Sequence, residues 1–160
     1  MINNKCKVIS NKEIAPSIFE MIIEDSDISI EAKPGQFLHI KAKLKSDTLL
    51  RRPISICDID NNNITIVYQV VGKGTKELSL VKPLEFIDVI GPIGNAYPID
   101  NSKRCAVIGG GIGIAPLLGL SKRLKNCDAY LGFKSDIYKV DDFNRSCDNV
   151  IISTEDGSFG

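Results

Sequence analysis

Cys105-Ala106-Val107-Ile108-Gly109-Gly110-Gly111-Ile112-Gly113-Ile114-Ala115-Pro116 is the stretch that divides this chain in two. Four consecutive apolar residues, 105–108, predict a strand buried on both faces. The glycines after it permit a tight turn and close backbone approach. The run 114–125 then reads as an amphipathic helix through Leu117, Leu118, Leu120 and Leu124, with Pro116 in its first turn, where a backbone donor is dispensable. Further on, 129–133 reads as a strand, the polar stretch to Arg145 as partly helical, and 150–153 as another strand. Strand, helix, strand, helix, strand predicts a parallel α/β sheet.

Upstream the character is different. Short strands are predicted over 6–10, 18–24, 35–42 (after a Pro34-Gly35 turn), 54–58, 64–71 and 86–90, with a tight turn at Asp60-Asn61-Asn62-Asn63 and a short helix over 75–81. The run Ile64-Thr65-Ile66-Val67-Tyr68-Gln69-Val70-Val71 is the strongest strand, β-branched through most of its length. Six short strands with close turn signals predict a small antiparallel Greek-key barrel. The fold class expected is therefore β plus α/β: a six-stranded barrel over residues 1–100 and a parallel α/β domain over 101–160, divided near Asn101-Ser102-Lys103. Glu155-Asp156-Gly157-Ser158-Phe159-Gly160 reads as a turn leading onward, so the second domain is expected to be partial, truncated at its C-terminal side.

The 160 residues carry 20 basic and 20 acidic side chains, a formal net charge of zero, and no Trp. That balance gives no electrostatic case for nucleic acid or an anionic membrane. No apolar run is long enough to span a bilayer, and Met1-Ile2-Asn3-Asn4-Lys5-Cys6 lacks the apolar core of a secretory signal, so a cytoplasmic location is expected. The cysteines Cys6, Cys57, Cys105, Cys127 and Cys147 are odd in number and widely spaced. They are expected to be reduced, mostly buried thiols, and no metal site is expected among them. His39, the single histidine, lies in an alternating strand and reads as structural.

Two glycine-rich stretches, Gly72-Lys73-Gly74-Thr75 and 109–113, each follow a strand and open a helix. Bare N–H groups at such a junction suit a phosphate. Two of them suggest two phosphate-bearing ligands, a flavin dinucleotide and a nicotinamide dinucleotide, and hence electron transfer. In Arg52-Pro53-Ile54-Ser55 a fixed guanidinium can pair with a diphosphate and Ser55 can meet a polar ring edge. In Val67-Tyr68-Gln69 strand alternation sets Tyr68 on the face opposite Val67 and Gln69. Thr75 can cap its helix while its N–H and hydroxyl face a phosphate. Gly109-Gly110-Gly111-Ile112-Gly113 has the context of a dinucleotide turn without the GxGxxG spacing. Glu155 and Asp156 end a parallel strand, where ligands of α/β sheets bind. No residue is expected to act as an acid or base; the chemistry belongs to the cofactor.

In order, Pro34-Gly35-Gln36-Phe37, Leu50-Arg51-Arg52-Pro53-Ile54-Ser55-Ile56, 68–75, Gly91-Pro92-Ile93-Gly94-Asn95, 109–117 and Ser153-Thr154-Glu155-Asp156-Gly157-Ser158 resemble a known family. It is the electron transfer subunit of the NAD-dependent (type B) dihydroorotate dehydrogenase, within the ferredoxin–NADP reductase superfamily. The resemblance runs from about Pro34 to Gly160. It implies FAD in the barrel, held by Arg52, Pro53, Ile54 and Ser55, by Val67, Tyr68 and Gln69, and by Gly74 and Thr75. It implies NAD at Gly109, Gly110, Gly111, Ile112 and Gly113. It further implies an FMN-containing catalytic partner in a heterotetramer that oxidises dihydroorotate in pyrimidine biosynthesis, with electrons passing through a [2Fe-2S] cluster and FAD to NAD+. Ile54 stands where the wider superfamily often has an aromatic residue, as is usual in the dihydroorotate branch. The family's cluster cysteines fall beyond this chain, so the cluster is not transferred to any cysteine here. The neighbouring readings are a NAD(P)H-dependent flavin or ferredoxin reductase subunit and a truncated, non-catalytic partner-binding fragment.

Overall fold

The computed structural model describes residues 1–42 and 50–160. Six strands close a barrel: β1 (Ile2–Ala15), β2 (Ile18–Glu24), β3 (Phe37–Lys41), β4 (Arg52–Asp60), β5 (Asn63–Gln69) and β6 (Phe86–Ile93), in the order β1-β2-β5-β4-β3-β6. Every pairing in it is antiparallel. Three further strands, β7 (Cys105–Gly110), β8 (Cys127–Phe133) and β9 (Asn149–Thr154), form a parallel sheet in chain order. The expected architecture is what the chain adopts.

The departures have local reasons. β1 runs over 14 residues, not the five expected from 6–10. Its first half pairs with β6 (Ile2 to Lys7) and its second with β2 (Lys7 to Ala15), with register shifts at Val8/Ser10 and Glu13/Ala15. Those irregularities bend one strand round the barrel and scramble the alternation that would have marked it. Helix α1 (Ser26–Glu31) was not expected; Asp25 caps it by accepting the Ile28 N–H at 2.9 Å, and Ile28 is fully buried in the barrel core. Helix α2 (Lys73–Ser79) begins two residues before its expected start. The expected 114–125 helix is a 3-10 turn, Gly111–Ile114, running into a short α3 (Ala115–Ser121) with Pro116 in its first turn. Helix α4 (Val140–Asn144) supplies the helical part of the polar stretch.

There are two apolar cores. One fills the barrel with Met21, Ile28, Leu38, Ile64, Ile66 and their neighbours. The other joins the barrel's outer face to the sheet, with Ile18, Cys57 and Val67 packed among Val107, Ile114, Leu118 and Phe143. Helix α3 comes so close to β4 that a Cβ on Gly119 would lie 2.8 Å from the Cys57 carbonyl oxygen. The last barrel strand ends at Ile93 and the first sheet strand begins at Cys105, and barrel and sheet meet along this shared apolar seam. No helix is long and apolar enough to cross a membrane among the described residues.

Candidate functional site

The seam opens into a cleft of about 470 Å³. β4 contributes Arg52, Pro53, Ile54 and Ser55 to it, and β5 contributes Val67, Tyr68 and Gln69. Thr75 comes from α2, and Ile112, Gly113, Ala115 and Pro116 close it from the second unit. Eight of the nine residues expected to touch FAD, all but Gly74, therefore share one mouth with Ile112 and Gly113 of the set expected to touch NAD. Val71, Ala115 and Pro116 were not singled out as site residues, although the last two lie in the run that also carries the glycine turn.

The paired arginines have different tasks. Arg51 reaches β6, with Nη2 2.7 Å from Asp88 Oδ2 and Nη1 3.1 Å from the Asp88 carbonyl oxygen. Arg52 turns to the cleft. Its guanidinium covers Gly74 so closely that a Cβ there would lie 2.7 Å from Cζ. Gly74 is thus the platform for the arginine rather than part of the cleft wall. Beside it, the N–H groups of Lys73, Gly74 and Thr75 precede the first bond of α2, from Lys76 N–H to the Gly72 carbonyl at 2.9 Å. A guanidinium against the start of a helix is a corner suited to a diphosphate.

The hydroxyl of Thr75, which was expected to face a phosphate, is engaged within the loop and donates to the Gly72 carbonyl at 3.1 Å. It accepts the N–H groups of Val71 (3.0 Å) and Gly72 (3.2 Å) and holds the loop's shape, and Gly72, not Thr75, is the cap. Tyr68 is also braced. Its ring stacks on Phe19 at 5.8 Å, and its hydroxyl donates to Asn11 Oδ1 at 3.0 Å. Burial, partly offset by that hydrogen bond, raises the phenol above the ordinary tyrosine range. Asn11 in turn donates to the carbonyls of Leu78 (3.0 Å) and Val81 (2.9 Å), which fixes the far end of α2. Sequence reading missed Asn11: a polar residue in an alternating strand looks like any solvent-facing one.

The glycine turn of the second unit is divided. Gly109 serves packing, since a Cβ there would meet Leu117 Cδ1 at 2.7 Å, and Gly110 pairs with Gly132 in the sheet. Neither lines the cleft or the cavity beside it. Gly111, with φ 51°, and Ile112 border a second cavity of about 170 Å³ with Phe133, Lys134, Ser135 and Tyr138. Gln69 and Ile112 line both cavities, so the two are neighbours. The second lies beyond the carboxyl ends of β7 and β8, the usual ligand position in parallel sheets.

Other candidates lie elsewhere. Asp156 Oδ1 accepts the N–H (3.0 Å) and hydroxyl (2.8 Å) of Ser158, bonds that lower its carboxyl below the ordinary range. Neither Glu155 nor Asp156 lines the two cavities. His39 stands outside the cleft with its ring 5.4 Å from Phe37. Cys6, Cys57 and Cys127 are buried, Cys105 and Cys147 are half-buried, and all are free thiols. Burial pushes the Cys57 and Cys127 thiols up to about 12. Among the described residues no group of three or more His, Cys, Asp or Glu gathers to hold a metal. The donor set does not fit an iron–sulfur cluster, which needs four converging thiolates.

The architecture is that of the ferredoxin–NADP reductases. The ferredoxin-NADP+ reductase of Plasmodium falciparum matches 96% of this chain with a TM-score of 0.74 at 15% identity, over 70% of its own length. A structure of the NADH-dependent reduced ferredoxin-NADP oxidoreductase matches 97% of this chain and 58% of its own with a TM-score of 0.88 at 34% identity. In sequence the similarity is narrower. A protein of Caldanaerobacter subterraneus subsp. tengcongensis named dihydroorotate dehydrogenase B (NAD(+)), electron transfer subunit, is 42% identical over 158 residues, 98% of this chain and 62% of that one. Its namesake in Streptococcus mutans is 39% identical over 170 residues, 100% of this chain and 65% of its own. The chain thus spans a little under two thirds of the curated relatives it matches. No family model matches it.

Proposed function

We propose that this chain is the FAD- and NAD-binding portion of a dihydroorotate dehydrogenase B electron transfer subunit, an oxidoreductase component that delivers electrons to NAD+. Bound FAD would supply the redox chemistry, taking electron pairs or releasing single electrons. Arg52 and the opening N–H groups of α2 hold its diphosphate. Ser55 meets the polar edge of the ring, while Ile54, Val67 and Gln69 border it. Tyr68, tied to Asn11, keeps the floor rigid. Gly111, Ile112 and Gly113 receive the nicotinamide nucleotide in the adjoining cavity, and Ala115 and Pro116 help exclude water from the cleft. The partner is an FMN-containing dihydroorotate-oxidising subunit of a heterotetramer in pyrimidine synthesis. No step is assigned to an iron–sulfur group on these residues.

The observation that carries the reading is the apposition of the Arg52 guanidinium and Gly74 beside one cleft also lined by Ser55, Val67, Gln69 and Thr75. The test is reconstitution with FAD. A flavin absorption band and its bleaching by NADH are expected, and a protein that stays colourless after FAD addition overturns the reading. The 34% identity to the NADH-dependent reduced ferredoxin-NADP oxidoreductase favours one second reading, a ferredoxin-linked reductase subunit. Co-purification with an FMN-containing partner that oxidises dihydroorotate separates the two.

A further inference from the structure

We infer that Lys139 is a positioning residue: bound to Glu20 across the seam, it sets how the parallel sheet faces the barrel's cleft. This rests on the cofactor reading above only for its kinetic consequence; the contact itself is independent of any ligand.

Lys139 precedes α4 with a left-handed backbone, φ 63°, a conformation that a side chain other than glycine adopts only when its surroundings enforce it. Its ammonium is held on two sides. Its Nζ meets Glu20 Oε2 of β2 and lies 2.9 Å from Asp142 Oδ2, and its side chain is 16% exposed. Glu20, 5% exposed, is the one buried carboxylate among the described residues. Burial would raise its carboxyl, but the hydrogen bond and charge of Lys139, then those of Lys12, outweigh this and lower it. A buried charge deprived of its partner is strongly destabilising, so this contact has one preferred geometry.

The pinned backbone borders the second cavity. Tyr138, the preceding residue, lines that cavity and packs edge-on against Phe133 with centroids 5.3 Å apart. Its buried hydroxyl has no hydrogen-bond partner among the described residues, so packing and the fixed position of Lys139 hold the ring. Across the seam a second clasp joins Lys122, which caps the end of α3, to Asp58 of β4. The sheet is therefore tied to the barrel through both α3 and the α4 entrance, with the cavities alongside.

Lys12 provides the control. It also reaches Glu20, at 3.2 Å, but from β1 of the same barrel and with a 63% exposed side chain. Lys12→Met and Lys139→Met each remove one cation from the same carboxylate, yet only the second cuts a link between the units. In the FAD-loaded protein, Lys139→Met is expected to slow flavin reduction by saturating NADH about tenfold or more, as a displaced hydride donor does. FAD affinity is expected to stay within about threefold, amide exchange to quicken in β2 and α4, and Lys139→Arg to recover most of the rate. Lys12→Met should leave rate and exchange as they were. Where Lys139→Met fails to fold, Glu20→Gln, which keeps shape and loses charge, replaces it. Equal effects of the Lys12 and Lys139 changes, or no effect of the latter on either readout, overturn the inference. If the unaltered protein binds FAD but NADH does not reduce it, the functional reading fails, and the exchange comparison alone decides the role of Lys139.

Discussion

At the scale of single residues, the site depends on a missing side chain. Gly74 leaves the space that the Arg52 guanidinium occupies. Gly74→Ala is expected to displace that guanidinium and weaken FAD binding by about tenfold or more, the range of a lost charge-assisted hydrogen bond; fluorescence titration of FAD measures it. Arg52→Lys should do likewise, since an ammonium cannot reproduce the bidentate fork. Thr75→Val should act on the loop instead. It removes the acceptor for two N–H groups and is expected to cost about 1–2 kcal/mol in urea unfolding, with Thr75→Ser close to neutral. The sequence made Arg52 and Gly74 legible as motif members, but not their contact, nor the division of labour between Arg51 and Arg52. That division comes from β6, which offers Asp88 to Arg51, while Arg52 lies on the cleft side. Local spacing carries no information about a strand that arrives 37 residues later.

Elements were legible where their periodicity was undisturbed. β5 buries Ile64, Ile66 and Tyr68 on the barrel side and Val67 on the seam, as alternation required. β1 was shortened in the reading because its register shifts interrupt that alternation, and α1 escaped it because six residues hold too few turns to show a period. Its Asp25 cap was the available signal. The packing of α3 on β4 was invisible too: Gly119 looks like an ordinary helix glycine until the Cys57 carbonyl is seen 2.8 Å from where its Cβ would stand. Gly119→Ala is therefore expected to destabilise the fold by about 1–3 kcal/mol through overpacking, against the small gain a helix interior would otherwise give. Asn11→Ala leaves the Tyr68 hydroxyl and the end of α2 without their partner. It is expected to cost about 2–3 kcal/mol, read from the same unfolding curves.

For the molecule as a whole, pH acts on the seam through the charges around Lys139. Burial would raise the Asp142 carboxyl, but Lys139 and Arg145 lower it, as Lys139 and Lys12 lower Glu20. Lys139 is opposed by burial yet raised by both carboxylates. Lowered acids contribute stability above their unfolded-state values and lose it as pH falls through the folded ones; the raised lysine contributes below its unfolded value and loses it only in strong alkali. The seam is thus fully charged at neutral pH and weakens in acid below the ordinary carboxylate range. Melting temperature is expected to fall there, and less steeply in Glu20→Gln. A different vulnerability follows from β1, which lends its first six pairing residues to β6 and the rest to β2. Clipping the chain at Lys7, by protease or by cloning, would unzip the cylinder along one side and leave β6 with a raw margin of unpaired amides. A product so trimmed should gather into oligomers through that margin, so the opening residues, remote from the cleft, act as the hoop that keeps the vessel shut.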